Sequence, residues 1–170
     1  IGEKIGGSEE GFAALMTRKA RSLGMMNTTF FNASGLPHAQ QFTTARDMST
    51  LGVALMRDFP KEYELFATKS FKFRGKTING HNNLMYRYKG MDGIKTGYIN
   101  ASGFNVATSV VRGNKRLVGV VIGAPSGGDP QGTARRSSHQ RSWPFGNLIA
   151  WQTGVGLDGF ASNVRAQGPR

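Results

Sequence analysis

Gly93-Ile94-Lys95-Thr96-Gly97-Tyr98 runs into Asn100-Ala101-Ser102-Gly103-Phe104-Asn105 and then into a long apolar stretch, and this segment decides how the chain is read. Residues Gly103 to Val111 and Arg116 to Ile122 are rich in valine, as a strand buried on at least one side should be. Gly113-Asn114 between them is a tight-turn signal, so the two stretches are expected to pair as antiparallel neighbours. Ile94 to Tyr98 is then a third strand of the same sheet, entered by a Lys-Thr-Gly triplet. Val106, Val110, Val118, Val120 and Ile122 are the expected hydrophobic centre.

Upstream of the sheet the pattern is helical. Ser8 is placed to cap a helix reaching Leu23, with Glu9 and Glu10 in its first turn and Gly24 just past its end. Met25 to Leu36 reads as a connecting loop. Thr43 or Thr44 caps a second helix whose apolar stripe is Met48, Leu51, Leu55 and Met56, and Pro60 requires it to stop. Lys61 to Ala67 is a short helical turn. Ser70-Phe71-Lys72-Phe73 alternates as a half-buried strand does, Arg74-Gly75-Lys76 turns, and Thr77-Ile78 returns. The fold class is therefore mixed α/β, an antiparallel sheet flanked by helices, over residues 1–125. From Ser126 onward Gly, Ser, Arg and Gln dominate, so 126–170 is expected to be a divergent, poorly ordered tail. Only Trp143 to Trp151 in it is able to pack or form a short helix.

Composition narrows the function. With 38% hydrophobic and 19% charged residues in 170, the chain can bury a real core, which excludes a wholly disordered segment. The lack of cysteine excludes disulfides and thiolate metal sites but leaves the compartment open. A formal charge of +12 suits nucleic acid, an anionic surface or an acidic substrate. The cations are dispersed, with no run of five like charges, which favours a solvated basic face over a nucleic-acid groove. No apolar run approaches the roughly 18 residues of a bilayer span. Ile1-Gly2-Glu3-Lys4-Ile5 reads as the interior of a longer protein rather than a signal peptide.

The chemistry concentrates at the triplet. A peptide can lie beside an edge strand and extend its sheet by main-chain hydrogen bonds. Lys95 then offers a cation and Thr96 a hydroxyl to a carboxylate, while Gly97 leaves room for a second backbone. The Tyr98 amide is placed to polarise a carbonyl oxygen as half of an oxyanion hole. The plain alternative is the start of a solvent-facing strand. Elsewhere, Asp47 reads as a helix-start residue and Asp92 as a turn residue. His38, His81 and His139 are too scattered for a metal centre, and Ser34-Gly35 lacks the flanking glycines of a nucleophile elbow.

Several blocks together resemble the D-alanyl-D-alanine carboxypeptidases, the low-molecular-mass penicillin-binding proteins. These are Asn32-Ala33-Ser34-Gly35-Leu36, Thr43-Thr44-Ala45-Arg46-Asp47-Met48, His81-Asn82-Asn83-Leu84, Gly90 to Tyr98, and Ala101-Ser102-Gly103-Phe104-Asn105. The resemblance implies a partial β-lactamase/transpeptidase-like fold and a serine acyl-enzyme mechanism, without cofactor or metal, on peptidoglycan stem peptides ending in D-Ala-D-Ala. It implies that Lys95 and Thr96 act in catalysis and, with Gly97 and Tyr98, bind substrate. It also implies acylation of the complete enzyme by β-lactams, and a place in the bacterial periplasm or on the extracytoplasmic face of the membrane. Membrane contact is expected only through segments outside this chain, and nucleic acid is not an expected partner.

The sequence departs from the family pattern in two places. Neither Ser-x-x-Lys nor Ser-x-Asn occurs, and both are expected upstream of Ile1. Tyr98-Ile99-Asn100 spells Tyr-x-Asn, but next to the triplet it cannot form the opposite wall. The family's carboxylate-anchoring arginine, expected after the last strand, cannot be assigned to Arg135 or Arg136. The competing readings are a non-catalytic peptidoglycan-peptide-binding module, a β-lactamase-related hydrolase and a basic nucleic-acid-binding protein.

Overall fold

The computed structural model describes residues 1–124 and 149–154. A short helix, α1 (Gly2–Gly6), leads into α2 (Glu9–Ser22). Ser8 caps α2 as its residue type suggests, its Oγ accepting the Gly11 N–H at 3.0 Å. Gly24 follows the helix at φ +84°, a conformation only glycine takes without strain. Of the two threonines weighed as caps, Thr44 begins α3 (Ala45–Asp58), its Oγ1 accepting the Asp47 N–H at 3.1 Å. Pro60 ends α3 and occupies the first turn of α4 (Pro60–Tyr63), which tightens into a 3₁₀ turn at Glu64–Ala67.

Two separate sheets follow. Among the described residues β1 (Ser70–Phe73) and β2 (Lys76–Asn79) pair only with each other, around Arg74 and Gly75 at φ +47° and +76°. After a one-turn helix, α5 (Leu84–Arg87), come β3 (Met91–Ile99), β4 (Gly103–Arg112), β5 (Lys115–Ala124) and β6 (Ile149–Gly154). These four form one antiparallel sheet in the order β3-β4-β5-β6. Of the stretch expected to pack or form a short helix, Trp143 to Trp151, the last residues, 149–151, begin the strand β6, paired with β5. Ile149, Trp151 and Thr153 are good strand formers at alternate positions, and their Gly- and Ser-rich surroundings hid them. Ser126 to Arg136 and His139 lie outside the described residues.

Helix α3 lies against the sheet. A Cβ on Gly52 would come within 2.9 Å of Ile94 Cδ1 and 3.5 Å of Val118 Cγ1, so the missing side chain lets the helix approach β3 and β5 closely. Val118 and Val120 are buried there, as is Ser109, whose Oγ lies 3.7 Å from Met56 Sδ. The other three valine and isoleucine positions expected in the core are only half-buried. Register is the reason. Val106 pairs with Val121 and Val110 with Leu117, which puts them on the face away from Val118 and Val120. Ile122 sits in the register shift opposite Phe104 and Val106, where strict alternation breaks.

The loop between α2 and α3 is held from below by Asp47, which is 3% exposed. Its Oδ2 accepts the Asn27 N–H at 2.8 Å and the Thr28 hydroxyl at 2.7 Å. Arg21 donates to the Met25 and Thr28 carbonyls from the other side, at 2.5 and 2.6 Å. The helix-start reading of Asp47 holds, and its carboxylate also ties the adjacent loop residues Asn27 and Thr28, twenty and nineteen positions upstream, to α3.

Candidate functional site

Strand β3 is an edge strand among the described residues, with β4 on one side and no strand on the other. An edge leaves alternate main-chain N–H and C=O groups unpaired along its length. On this strand Lys95 is exposed, Thr96 half-buried, and Gly97 and Tyr98 exposed. The Lys95 ammonium donates to the Thr96 carbonyl, so the cation is folded along its own strand. A Cβ at Gly97 would meet nothing within 4 Å, and its φ is not positive. Glycine at 97 is therefore not required by the surrounding fold, whereas at Gly93 a Cβ would lie 2.7 Å from Tyr63 Oη.

The turn that follows is braced by side chains. Tyr98 packs on Phe104 across the ladder with ring centroids 4.5 Å apart, and its hydroxyl donates to Asn100 Oδ1 at 3.0 Å. The Tyr-x-Asn sequence thus closes the β3–β4 turn. Asn105, half-buried opposite Gly97, donates to Ser102 Oγ at 2.8 Å and the Gly103 carbonyl at 3.0 Å, while its Oδ1 accepts the Gly123 N–H at 3.0 Å. One amide side chain thereby ties the strand carrying the triplet to the far end of β5.

At its other end β3 is anchored by a cluster that sequence reading missed. Asp92 is a strand residue, not a turn residue, and pairs with Arg116 on β5 at 2.7 Å. The same guanidinium donates to Ser109 Oγ at 2.6 Å and lies 5.6 Å over the Tyr63 ring. The Tyr63 hydroxyl reaches Asp92 Oδ1 at 3.4 Å. A carboxylate and a guanidinium inside an apolar sheet were the visible signal, but only the register shows that they meet. Burial, and secondarily the negative charge of Asp92, raises the Tyr63 phenol above the ordinary 10.0. The folded state therefore favours the protonated phenol, a contribution fully present below about pH 10 and lost as pH rises through the elevated value. Tyr63→Phe should flatten this alkaline limb of the stability profile, measured by urea denaturation between pH 8 and 11 (approximate window). An unchanged limb would show that another group titrates there.

The remaining motif blocks are structural. Asn32 Oδ1 accepts the Gly35 N–H at 2.8 Å and the Ser34 hydroxyl at 3.2 Å, and Gln41 Oε1 accepts the Phe31 and Asn32 amides, making a braced turn that engages the Ser34 hydroxyl. His38 stacks on Phe31 at 4.3 Å, and His81 is exposed at the start of the block preceding α5. Asn82 beside it buries both polar side-chain atoms, with no hydrogen-bond partner among the described residues. Among the described residues no three His, Cys, Asp or Glu side chains gather as metal ligands.

The family model described as D-alanyl-D-alanine carboxypeptidase matches residues 1–126. The chain belongs to this family. D-alanyl-D-alanine carboxypeptidase DacC of Escherichia coli is 40% identical over 125 residues, covering 73% of this chain and 31% of the relative. Penicillin binding protein 5 of Haemophilus influenzae superposes with a TM-score of 0.68 at 33% identity, over 74% of this chain and 37% of that one. Penicillin-Binding Protein D2 of Listeria monocytogenes, solved in a cefotaxime-bound form, gives a TM-score of 0.66 at 29% identity, over 74% of this chain and 51% of that one. The fold is thus the mixed helix and antiparallel-sheet arrangement of the penicillin-binding proteins, as the carboxypeptidase resemblance implied. The chain spans about a third of the length of the curated relatives it matches.

Proposed function

We propose that this chain carries the substrate-binding wall of a serine D-Ala-D-Ala carboxypeptidase acting on peptidoglycan stem peptides at the extracytoplasmic face of a bacterial membrane. The observation that carries the reading is the edge of β3, unpaired among the described residues, which offers an exposed Lys95 and Gly97 beside the half-buried Thr96. A stem peptide laid along that edge extends the sheet. Lys95, released from its own strand, faces the terminal carboxylate together with the Thr96 hydroxyl. The open space at Gly97 admits the substrate backbone. The Tyr98 amide polarises the scissile carbonyl, which a serine outside these 170 residues attacks, expelling the terminal D-alanine before water releases the acyl group.

Division of the site makes a direct prediction. Ser-x-x-Lys is absent from the sequence, so a polypeptide of residues 1–170 should take up no stable covalent label from a fluorescent penicillin. Gel-resolved labelling of the purified chain measures this. Stable label on residues 1–170 would place a working nucleophile within them and end the divided-site reading.

A further inference from the structure

Between Glu64 and Asp92 the sequence has no acidic residue and six cations, Lys69, Lys72, Arg74, Lys76, Arg87 and Lys89. They are dispersed along the chain, yet four of them lie on or beside the β1–β2 hairpin. All eight strand residues of that hairpin are exposed. The register sets Phe71 opposite Ile78 and Phe73 opposite Lys76. Alternation then gathers Phe71, Phe73 and Ile78 on one face, with Lys76 at its end and Lys72 on the other face. The three apolar side chains are 56%, 56% and 42% exposed. The Arg74 guanidinium lies 5.3 Å over the Phe73 ring, and the Lys69 ammonium 5.8 Å over that of Tyr86.

A two-stranded hairpin is marginal in water, and an exposed apolar patch rimmed by cations marks an interface. We propose that this hairpin docks on a membrane surface containing anionic lipids. Phe71, Phe73 and Ile78 enter the boundary between headgroups and acyl chains, while Lys69, Lys72, Arg74 and Lys76 remain at the phosphates. The uninterrupted positive charge selects an anionic surface over a neutral one. The apolar face selects lipid over a soluble polyanion, which offers it nothing to bury against. Nucleic acid would require bare ring faces for stacked bases, and Arg74 covers one face of Phe73. Four residues per strand give a length of about 13 Å, enough to reach the 5–10 Å depth typical of interfacial segments. The contact goes beyond the proposed peptide site.

Co-sedimentation of the full chain with vesicles tests it, using phosphatidylcholine alone or mixed with phosphatidylglycerol. Binding to the mixed vesicles and not to the neutral ones is expected. Phe71→Ser with Phe73→Ser should weaken it more than about tenfold. Lys72→Gln with Lys76→Gln should weaken it by about fivefold per cation. Both double variants alter exposed side chains, so their far-UV spectra should match the parent. Binding that survives Lys95→Ala separates this contact from the peptide site. Equal vesicle binding by the phenylalanine variant overturns the proposal, as does absence of binding to mixed vesicles. Tighter binding of single-stranded DNA, lost in the same two variants, would assign the hairpin to nucleic acid instead.

Discussion

Lys95→Ala should reduce acylation by a penicillin about 10²- to 10³-fold in a complete domain that joins the upstream segment of the Escherichia coli DacC relative to residues 1–126 of this chain. The size follows from what the side chain is asked to do. An ammonium facing the reacting group's carboxylate makes a charge-assisted hydrogen bond stronger than any neutral replacement. Truncating it leaves the carboxylate without its counter-charge as the acyl bond forms. Stability should hardly change, because Lys95 is exposed and its bond to the Thr96 carbonyl is local. Lys95→Arg keeps the charge but alters its reach, so it should fall between the parent and the alanine variant. Stopped labelling with a fluorescent penicillin, alongside a melting curve, separates lost chemistry from lost fold. Acylation within about twofold of the parent would remove Lys95 from the site.

Asp47→Ala should destabilise the chain by about 3–5 kcal/mol, the largest loss expected from any single substitution outside the sheet. Its carboxylate accepts two short bonds from the Asn27 amide and the Thr28 hydroxyl, and Thr28 is wholly buried. Bonds to a charged acceptor contribute about 1.5–3 kcal/mol each, and alanine removes both. Against a total stability of roughly 5–15 kcal/mol this is a large fraction. Asp47→Asn keeps an acceptor and should lose about half as much. Urea midpoints at neutral pH measure both. A loss below about 1 kcal/mol for the alanine variant would show that the loop between α2 and α3 holds without the carboxylate.

Much of this was legible because local chemistry and global fold agree in the long elements. Ser8, Gly24, Thr44 and Pro60 punctuate α2 and α3 where their residue types demand, and the valine-rich runs flanking Gly113-Asn114 could only be strands. Short elements escaped for lack of periodicity. α1 holds two glycines in five residues and α5 spans only four, too few to show an apolar face. Which valines form the core depended on pairing register, and sequence alone could not place Val106 opposite Val121 rather than one residue along. The Asp92–Arg116 pair escaped for the same reason, since its members lie 24 positions apart in the chain.

At the candidate site, the triplet is legible in the sequence as a set of donors and its supports are not. Lys95, Thr96, Gly97 and Tyr98 advertise themselves as a cation, a hydroxyl, a gap and an amide in order. Asn105 and Tyr63 look unremarkable in sequence, and become meaningful only when one is seen bridging Ser102, Gly103 and Gly123 and the other lying under Gly93. The blocks that identify the family prove mostly to be turn and cap chemistry. Asn32 accepts a backbone N–H, and Asp47 a backbone N–H and the Thr28 hydroxyl.

The claim that β3 is a substrate strand is tested most directly by titrating a peptide ending in D-Ala-D-Ala into isotope-labelled protein and following backbone amide shifts. The account predicts saturable shifts concentrated at Lys95 to Tyr98 and their β4 partners, abolished by Lys95→Ala. Saturable shifts confined to another surface, or none along the β3 edge at any peptide concentration, would contradict it.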